Sequence, residues 1–195
     1  MALDALTIVS DDALLVLFAN GDQQAAVVLS HRLGPRIFAY GYRLLGDRSE
    51  AEDVAQEAML RLWKMAPEWR PGEAKITTWL FRVVSNLCID HKRRDNNRPV
   101  SLDAVADPPD AADSVEGSVQ QKARSAALTA ALLQLPDRQR QAVILRNIEG
   151  LANPDIAIVM AISVEAVESL TARGKRALSR LLADQKDALG FENDR

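Results

Sequence analysis

The sequence predicts an all-α protein: two small helical domains joined by an acidic, proline-containing linker, the second domain carrying a helix-turn-helix. Three observations lead there. Apolar residues recur at three- and four-residue steps through most of the 195 residues, the β-branched alternation of strands is missing, and one central stretch, 99–118, breaks the pattern. That stretch holds Pro99, Pro108 and Pro109 with Asp103, Asp107, Asp110, Asp113 and Glu116, and no lysine or arginine, the composition of a tether. Domains over 1–98 and 119–195 follow. The formal net charge of −3 conceals the split: residues 1–98 balance 13 basic against 13 acidic side chains, and residues 119–195 set 11 basic against 9 acidic.

In the first domain, helices are expected near 11–20, 23–45, 50–65 and 77–95, with Gly21 and Gly46 closing the first two. Residues 66–75, containing Pro67, Pro71 and Gly72, read as a loop. The 50–65 helix has two distinct faces. Ala51, Val54, Ala55, Ala58, Leu62 and Met65 make an apolar stripe, while Glu52, Asp53, Gln56, Glu57 and Arg61 belong to the polar side. Ser49 with Glu52 three residues later reads as a capping box at its start.

In the second domain a helix over 119–135 is stopped by Pro136, which suits the first turn of the next because its missing donor would be unpaired there anyway. That next helix should run to Glu149 and end at Gly150. Asn153 as N-cap and Pro154 at the first helical position start a third helix, reaching about Met160. Ala161-Ile162 make a turn, and Ser163 caps a fourth helix running through Leu181. Two helices joined by so short a turn, the second ending in a basic cluster, form the helix-turn-helix pattern. Ser163, Glu165, Ala166, Glu168, Ser169, Thr171 and Ala172 are then the candidates for base edges; Arg173, Lys175 and Arg176 are candidate phosphate partners.

The composition argues against other classes. One cysteine, Cys88, excludes an internal disulfide and reads as a small core residue; two histidines, His31 and His91, give no metal-ligand spacing. There is no nucleophile beside a base, no phosphate-cradling glycine loop and no helical His-Glu-x-x-His, so neither an enzyme nor a cofactor is expected. No apolar run reaches the roughly 20 residues a membrane span needs, and Met1-Ala2-Leu3-Asp4 lacks the basic flank of an export signal, so a cytoplasmic location is expected.

Ala51-Glu52-Asp53-Val54-x-Gln56-Glu57-x-x-x-Arg61-Leu62-Trp63 resembles the polymerase-docking helix of bacterial sigma factors of the sigma-70 family, particularly the extracytoplasmic-function class. Trp79-Leu80-x-Arg82-x-x-x-Asn86-Leu87-x-x-Asp90-x-x-Arg93-Arg94 is similar to the helix by which that family contacts the minus-ten promoter element. Leu135-Pro136-x-Arg138-Gln139-Arg140-x-x-Val143, Glu149-Gly150-Leu151 and Ile162-Ser163-Val164-x-x-Val167-x-Ser169 resemble its minus-thirty-five-reading domain. The resemblance covers about 25–95 and 128–182.

It implies a non-catalytic initiation subunit whose partners are core RNA polymerase, promoter DNA and an inhibitory anti-sigma factor. Polymerase contact would fall to Glu52, Asp53, Gln56, Glu57 and Arg61. Minus-ten contact would fall to Trp69, Lys75, Arg82, Asn86, Lys92, Arg93 and Arg94, with Trp69 as the wall of a pocket for an unstacked base, while Trp63 and Trp79 are expected in the core. Where the family usually places lysine and arginine around Ser169, this chain has Glu168 and Leu170. A glutamate can accept from cytosine N4 but gives up phosphate attraction. That departure keeps a second reading open, a sigma-like adaptor or decoy that binds an anti-sigma protein without initiating transcription; an ordinary helix-turn-helix regulator is a third.

Overall fold

The computed structural model describes residues 6–95 and 115–183, and among these every regular element is helical. The chain divides into two compact units. The first contains α1 (Asp11–Ala19), α2 (Gln23–Leu45) as far as Gly41, α3 (Arg48–Met65) from Ser49, a 3-10 turn (Ala66–Glu68) and α4 (Ile76–Asp95). The second contains α5 (Val115–Leu133), α6 (Asp137–Val143) continued by a π turn (Ile144–Ile148), α7 (Asn153–Met160) as far as Ala157, and α8 (Val164–Ala183). The linker expectation falls on residues up to 114 that lie outside the described ones; its last positions, from Val115, already belong to α5.

In the first unit the predicted stripe of α3 is the buried one. Ala51, Val54, Ala55, Ala58 and Leu62 are all buried, and only Met65 is half-exposed. Small residues let helices approach: a Cβ on Gly41 of α2 would stand 3.8 Å from the Ala51 backbone. Burying a leucine such as Leu62 contributes roughly 1.5–3 kcal/mol. From α2 come Leu29, Leu33, Ile37 and Tyr40, and from α4 come Ile76, Leu80, Phe81 and Val84. Tyr40 meets Phe81 edge to face, with ring centroids 4.9 Å apart, and its hydroxyl pairs with Ser85 Oγ at 2.9 Å. A buried tyrosine thus keeps a partner for its polar end.

Cys88 is 3% exposed on the same helix, and burial pushes its thiol up to about 12, with Lys92 opposing and Glu50 reinforcing the shift. α3 begins at Arg48, so Ser49 lies inside the first turn rather than at the cap, a correction to the predicted capping box. Arg48 and Ser49 already take helical conformation, so the helix starts ahead of Glu50.

The second unit is organised around α6 and α8. Ala142, Val143, Ile144 and Leu145 are consecutive and all buried, which an α-helix, turning 100° per residue, cannot easily aim at one core. The predicted uninterrupted helix to Glu149 is therefore replaced after Val143 by a π turn, and Gly150, at φ +73°, ends it as expected. Pro136 sits at the N-cap of α6 rather than in its first turn.

Arg140, only 6% exposed, donates to the carbonyls of Leu132 (2.9 Å), Leu133 (2.7 Å) and Leu135 (3.0 Å). The Leu132 and Leu133 carbonyls belong to the last turn of α5 and the Leu135 carbonyl to the turn that follows, so a buried guanidinium braces the end of that helix. Desolvation lowers its pKa and nearby Asp137 partly restores it, leaving the group charged.

α8 crosses α6 at Gly174, where an added Cβ would fall 2.5 Å from Val143 Cγ2 and 3.0 Å from the Gln139 carbonyl oxygen. Val143 is buried and stiff at χ1, and the carbonyl is backbone, so neither can retreat cheaply. Gly174→Ala is expected to lower stability by about 1–2 kcal/mol despite alanine's better helix propensity, read as a lower urea midpoint with helix content retained.

The Cys88 thiol should resist a thiol-specific reagent at pH 8 in the native protein and react once per chain in denaturant. Because its folded pKa is raised, its contribution to stability is complete below about pH 9 and is lost as pH rises toward 12. Denaturant titrations on either side of that window check the sign.

Candidate functional site

Burial of the alanine stripe turns the opposite side of α3 outward. Glu52, Asp53, Gln56 and Arg61 are exposed and Glu57 is half-exposed, so all five predicted docking residues share one accessible side of the helix. Arg61 Nε donates to Glu57 Oε1 at 2.8 Å, an i,i+4 pair whose two side chains remain nearly half accessible. Such a pair adds only a few tenths of a kcal/mol. Its carboxylate therefore stays available to a partner cation.

Trp63, expected in the core, is half-buried and packs edge to face on Phe18, centroids 4.8 Å apart. It walls an open groove of about 650 Å³ with Phe18, Gln23, Ala26, Val27, Ser30 and His31. Trp79 is likewise half-buried. Both corrections have one cause: a helix in a small four-helix unit has too little core depth to cover a whole indole.

Between α3 and α4, the 3-10 turn leads into Trp69, half-buried, followed by Arg70 to Lys75, all exposed. α1 packs against this turn, and Trp69 Nε1 donates to Asp12 Oδ1 at 2.9 Å. On α4, Arg82, Asn86, Arg93 and Arg94 are exposed and Lys92 is half-exposed. Arg82 and Asn86 stand one turn apart, and the cations gather at the last turn, where the helix dipole favours them. The loop and this side of α4 can follow a phosphate backbone while offering an aromatic surface to a base.

At the start of α8, Ser163 Oγ accepts from the Ala166 N–H at 3.2 Å, the expected N-cap, and Ala161 at φ +51° makes the preceding turn left-handed. The Glu165 backbone N–H and then the Ser163 hydroxyl hold the Glu165 carboxyl below the usual carboxylate range. Glu165 therefore helps seal the helix start. Glu168 is exposed, and its Oε1 accepts from Asn153 Nδ2 at 3.3 Å. This corrects the reading of Asn153 as a cap: α7 is preceded by Ala152 with no side-chain cap bond, and the Asn153 amide turns to Glu168 instead.

Ala166 and Ser169 are half-exposed, and Arg173 folds back to donate through Nε to Ser169 Oγ at 3.2 Å. The Thr171 hydroxyl is enclosed and meets no hydrogen-bond partner, so it is not presented at the surface. Ala172, Arg173, Lys175 and Arg176 are exposed. The last three line a groove of about 830 Å³ with Gln139, Ala177, Ser179 and Arg180. Gln139, Ser179 and Arg180 escaped the sequence reading. Helical spacing carried the signal for Arg180, one turn beyond Arg176, whereas Gln139 arrives from α6 and could be placed only by the fold.

Among the described residues no cluster of His, Cys, Asp and Glu could hold a metal ion, and no helix is long and apolar enough to cross a membrane. Residues 29–98 match the family model for sigma-70 region 2, and residues 125–178 that for sigma-70 region 4. The ECF RNA polymerase sigma factor SigW of Bacillus subtilis is 33% identical over 184 residues, covering 85% of this chain and 92% of that one. The RNA polymerase sigma-H factor of Pseudomonas aeruginosa is 30% identical over 91% of this chain and 96% of its own length.

Among solved structures, CnrH in complex with the cytosolic domain of CnrY is 26% identical, with a TM-score of 0.64 over 89% of this chain and 97% of that chain. The sigma factor RpoE of Bartonella quintana, in complex with the anti-sigma factor NepR, shares the fold at 22% identity and a TM-score of 0.64, over 79% of this chain and 94% of that chain. With both regions present in order and relatives matched over nearly their whole length, this chain belongs to the sigma-70 family, in its extracytoplasmic-function class.

Proposed function

We propose that this chain is a cytoplasmic initiation subunit that binds core RNA polymerase through α3, opens and reads the minus-ten element with the 69–75 loop and α4, and reads the minus-thirty-five element with α8. The observation that carries the reading is the exposure of Glu52, Asp53, Gln56, Glu57 and Arg61 on one side of a helix whose other side is core. Any amphipathic surface helix exposes a polar side; what favours docking here is that this side carries together all five residues that the sigma-factor resemblance names. Arg82, Asn86, Lys92, Arg93 and Arg94 supply the backbone contacts beside Trp69, and Lys75 lies at the end of the loop.

On α8, Glu168 reads a base edge and Ser169 and Ala166 lie beside it, while Arg173, Lys175 and Arg176 position the helix on phosphates. Asp103, Asp107, Asp110 and Asp113 lie in the sequence that connects two weak readers, each of which raises the effective concentration of the other once engaged. An anti-sigma protein is the proposed inhibitor, because CnrH and RpoE, which share the fold, were solved with a cytosolic domain of CnrY and with NepR. Run-off transcription with core polymerase, followed by sequencing of the products, tests the whole reading. Transcripts that depend on this chain support it, and none from any genomic promoter would favour the decoy, the reading to which Glu165 and Glu168 lend weight.

Asp53→Arg combined with Glu57→Arg should abolish co-elution with core polymerase while helix content and melting temperature hold, since both side chains are accessible. A loss of helicity instead would reject the docking assignment. Arg173→Ala should weaken activity at all promoters about equally and lower the log–log salt slope of holoenzyme binding by about 1. Glu168→Lys should instead change which promoters are used, so equal losses everywhere would show that Glu168 reads no base.

A further inference from the structure

The N-terminal residues ahead of α2 have no role in the reading so far, yet they are held with unusual care. Arg32 of α2 donates to the carbonyls of Val9 (2.7 Å), Leu6 (3.1 Å) and Thr7, and to Asp11 Oδ1 at 2.9 Å. Ser10 Oγ accepts from the Ala13 N–H and starts α1, while Leu14 and Leu15 are fully buried. The first turn of α1 is thereby fixed at both its polar and its apolar sides. Asp12 lies in that turn, and its Oδ1 receives the Trp69 indole N–H at 2.9 Å across 57 positions of sequence.

An indole has one donor, on one edge of the ring. Binding that edge to a fixed acceptor selects one ring orientation over the flipped one and holds the plane still. We propose that Asp12 is a positioning residue for promoter opening: by holding Trp69, it pre-orients the aromatic wall on which an unstacked base of the minus-ten strand is captured. The inference rests on the reading of Trp69 given above. An aromatic surface free to rotate would have to be ordered when the base arrives, and that cost weakens capture. The segment clamped by Arg32 thus belongs to the strand-opening apparatus.

The test uses holoenzyme and single-stranded oligonucleotides bearing the minus-ten sequence identified by run-off transcription, together with a series in which each base in turn is replaced by an abasic site. The position whose loss weakens binding by the native protein but not by Trp69→Ala is the one that Trp69 holds. Asp12→Ala should weaken binding of the intact oligonucleotide roughly three- to tenfold and show no further loss at that abasic position. It should have no effect in a Trp69→Phe background, which lacks the donor. Asp12→Asn, which keeps a carbonyl acceptor, should bind within about twofold of the native protein, and affinity for core polymerase should be unchanged in both variants. Native-like binding by Asp12→Ala while Trp69→Ala is defective would overturn the inference alone. So would a loss of the same size on the abasic strand and in the Trp69→Phe background, since that marks a purely structural role. Native-like binding by Trp69→Ala at every position would remove the loop reading and this inference together.

Discussion

The first unit depends on one constraint, the need of α3 to bury a narrow stripe of mostly small side chains. Ala51, Val54, Ala55 and Ala58 admit α2 to close range, with Gly41 opposite Ala51, and Leu62 completes the stripe. The rotation of α3 about its own axis is set by that contact, because turning the helix by one position would bring a carboxylate into the core at a cost of several kcal/mol. The outward direction of Asp53, Gln56, Glu57 and Arg61 is therefore a consequence of packing. The proposed docking on α3 would thus meet a surface already presented.

The second unit solves a comparable problem differently. Two of its helices, α6 and α7, span only 7 and 8 residues, and short helices have a large share of unpaired terminal groups. Arg140 closes the end of α5 from within, the π turn lets consecutive apolar residues reach one core, and Gly174 brings α8 onto α6. Each device stiffens the support under α8. A helix held this way keeps its exposed residues in register, which is what the proposed reading of bases by α8 requires. The same economy appears at its surface, where Asn153 steadies Glu168 and Ser169 receives Arg173.

The capping signals show how far local rules extend. Ser10 and Ser163 cap as their spacing requires, since an N-cap is satisfied by a backbone N–H three residues away whatever surrounds it. Ser49 and Asn153 carry the same signal, but their helices begin two positions and one position early, and Asn153 has a better use for its amide. The tryptophans divide likewise. Periodicity placed Trp63 and Trp79 on a buried face, yet both remain half-exposed because the neighbouring helices are too few to enclose them.

By itself the order of residues determined that the chain is helical, where most helices lie, which face of α3 is buried, and which motifs stand at which positions. Those properties follow from periods of three and four residues and from caps, all of them short-range. Only the tertiary structure decided that Asp12 holds Trp69, that Arg140 ends α5, that Gln139 joins the basic groove of α8, and that Thr171 turns its hydroxyl inward. Such pairings join side chains from different helices. Their partners are chosen by how the helices pack, and the spacing of residues along one helix contains no record of the next.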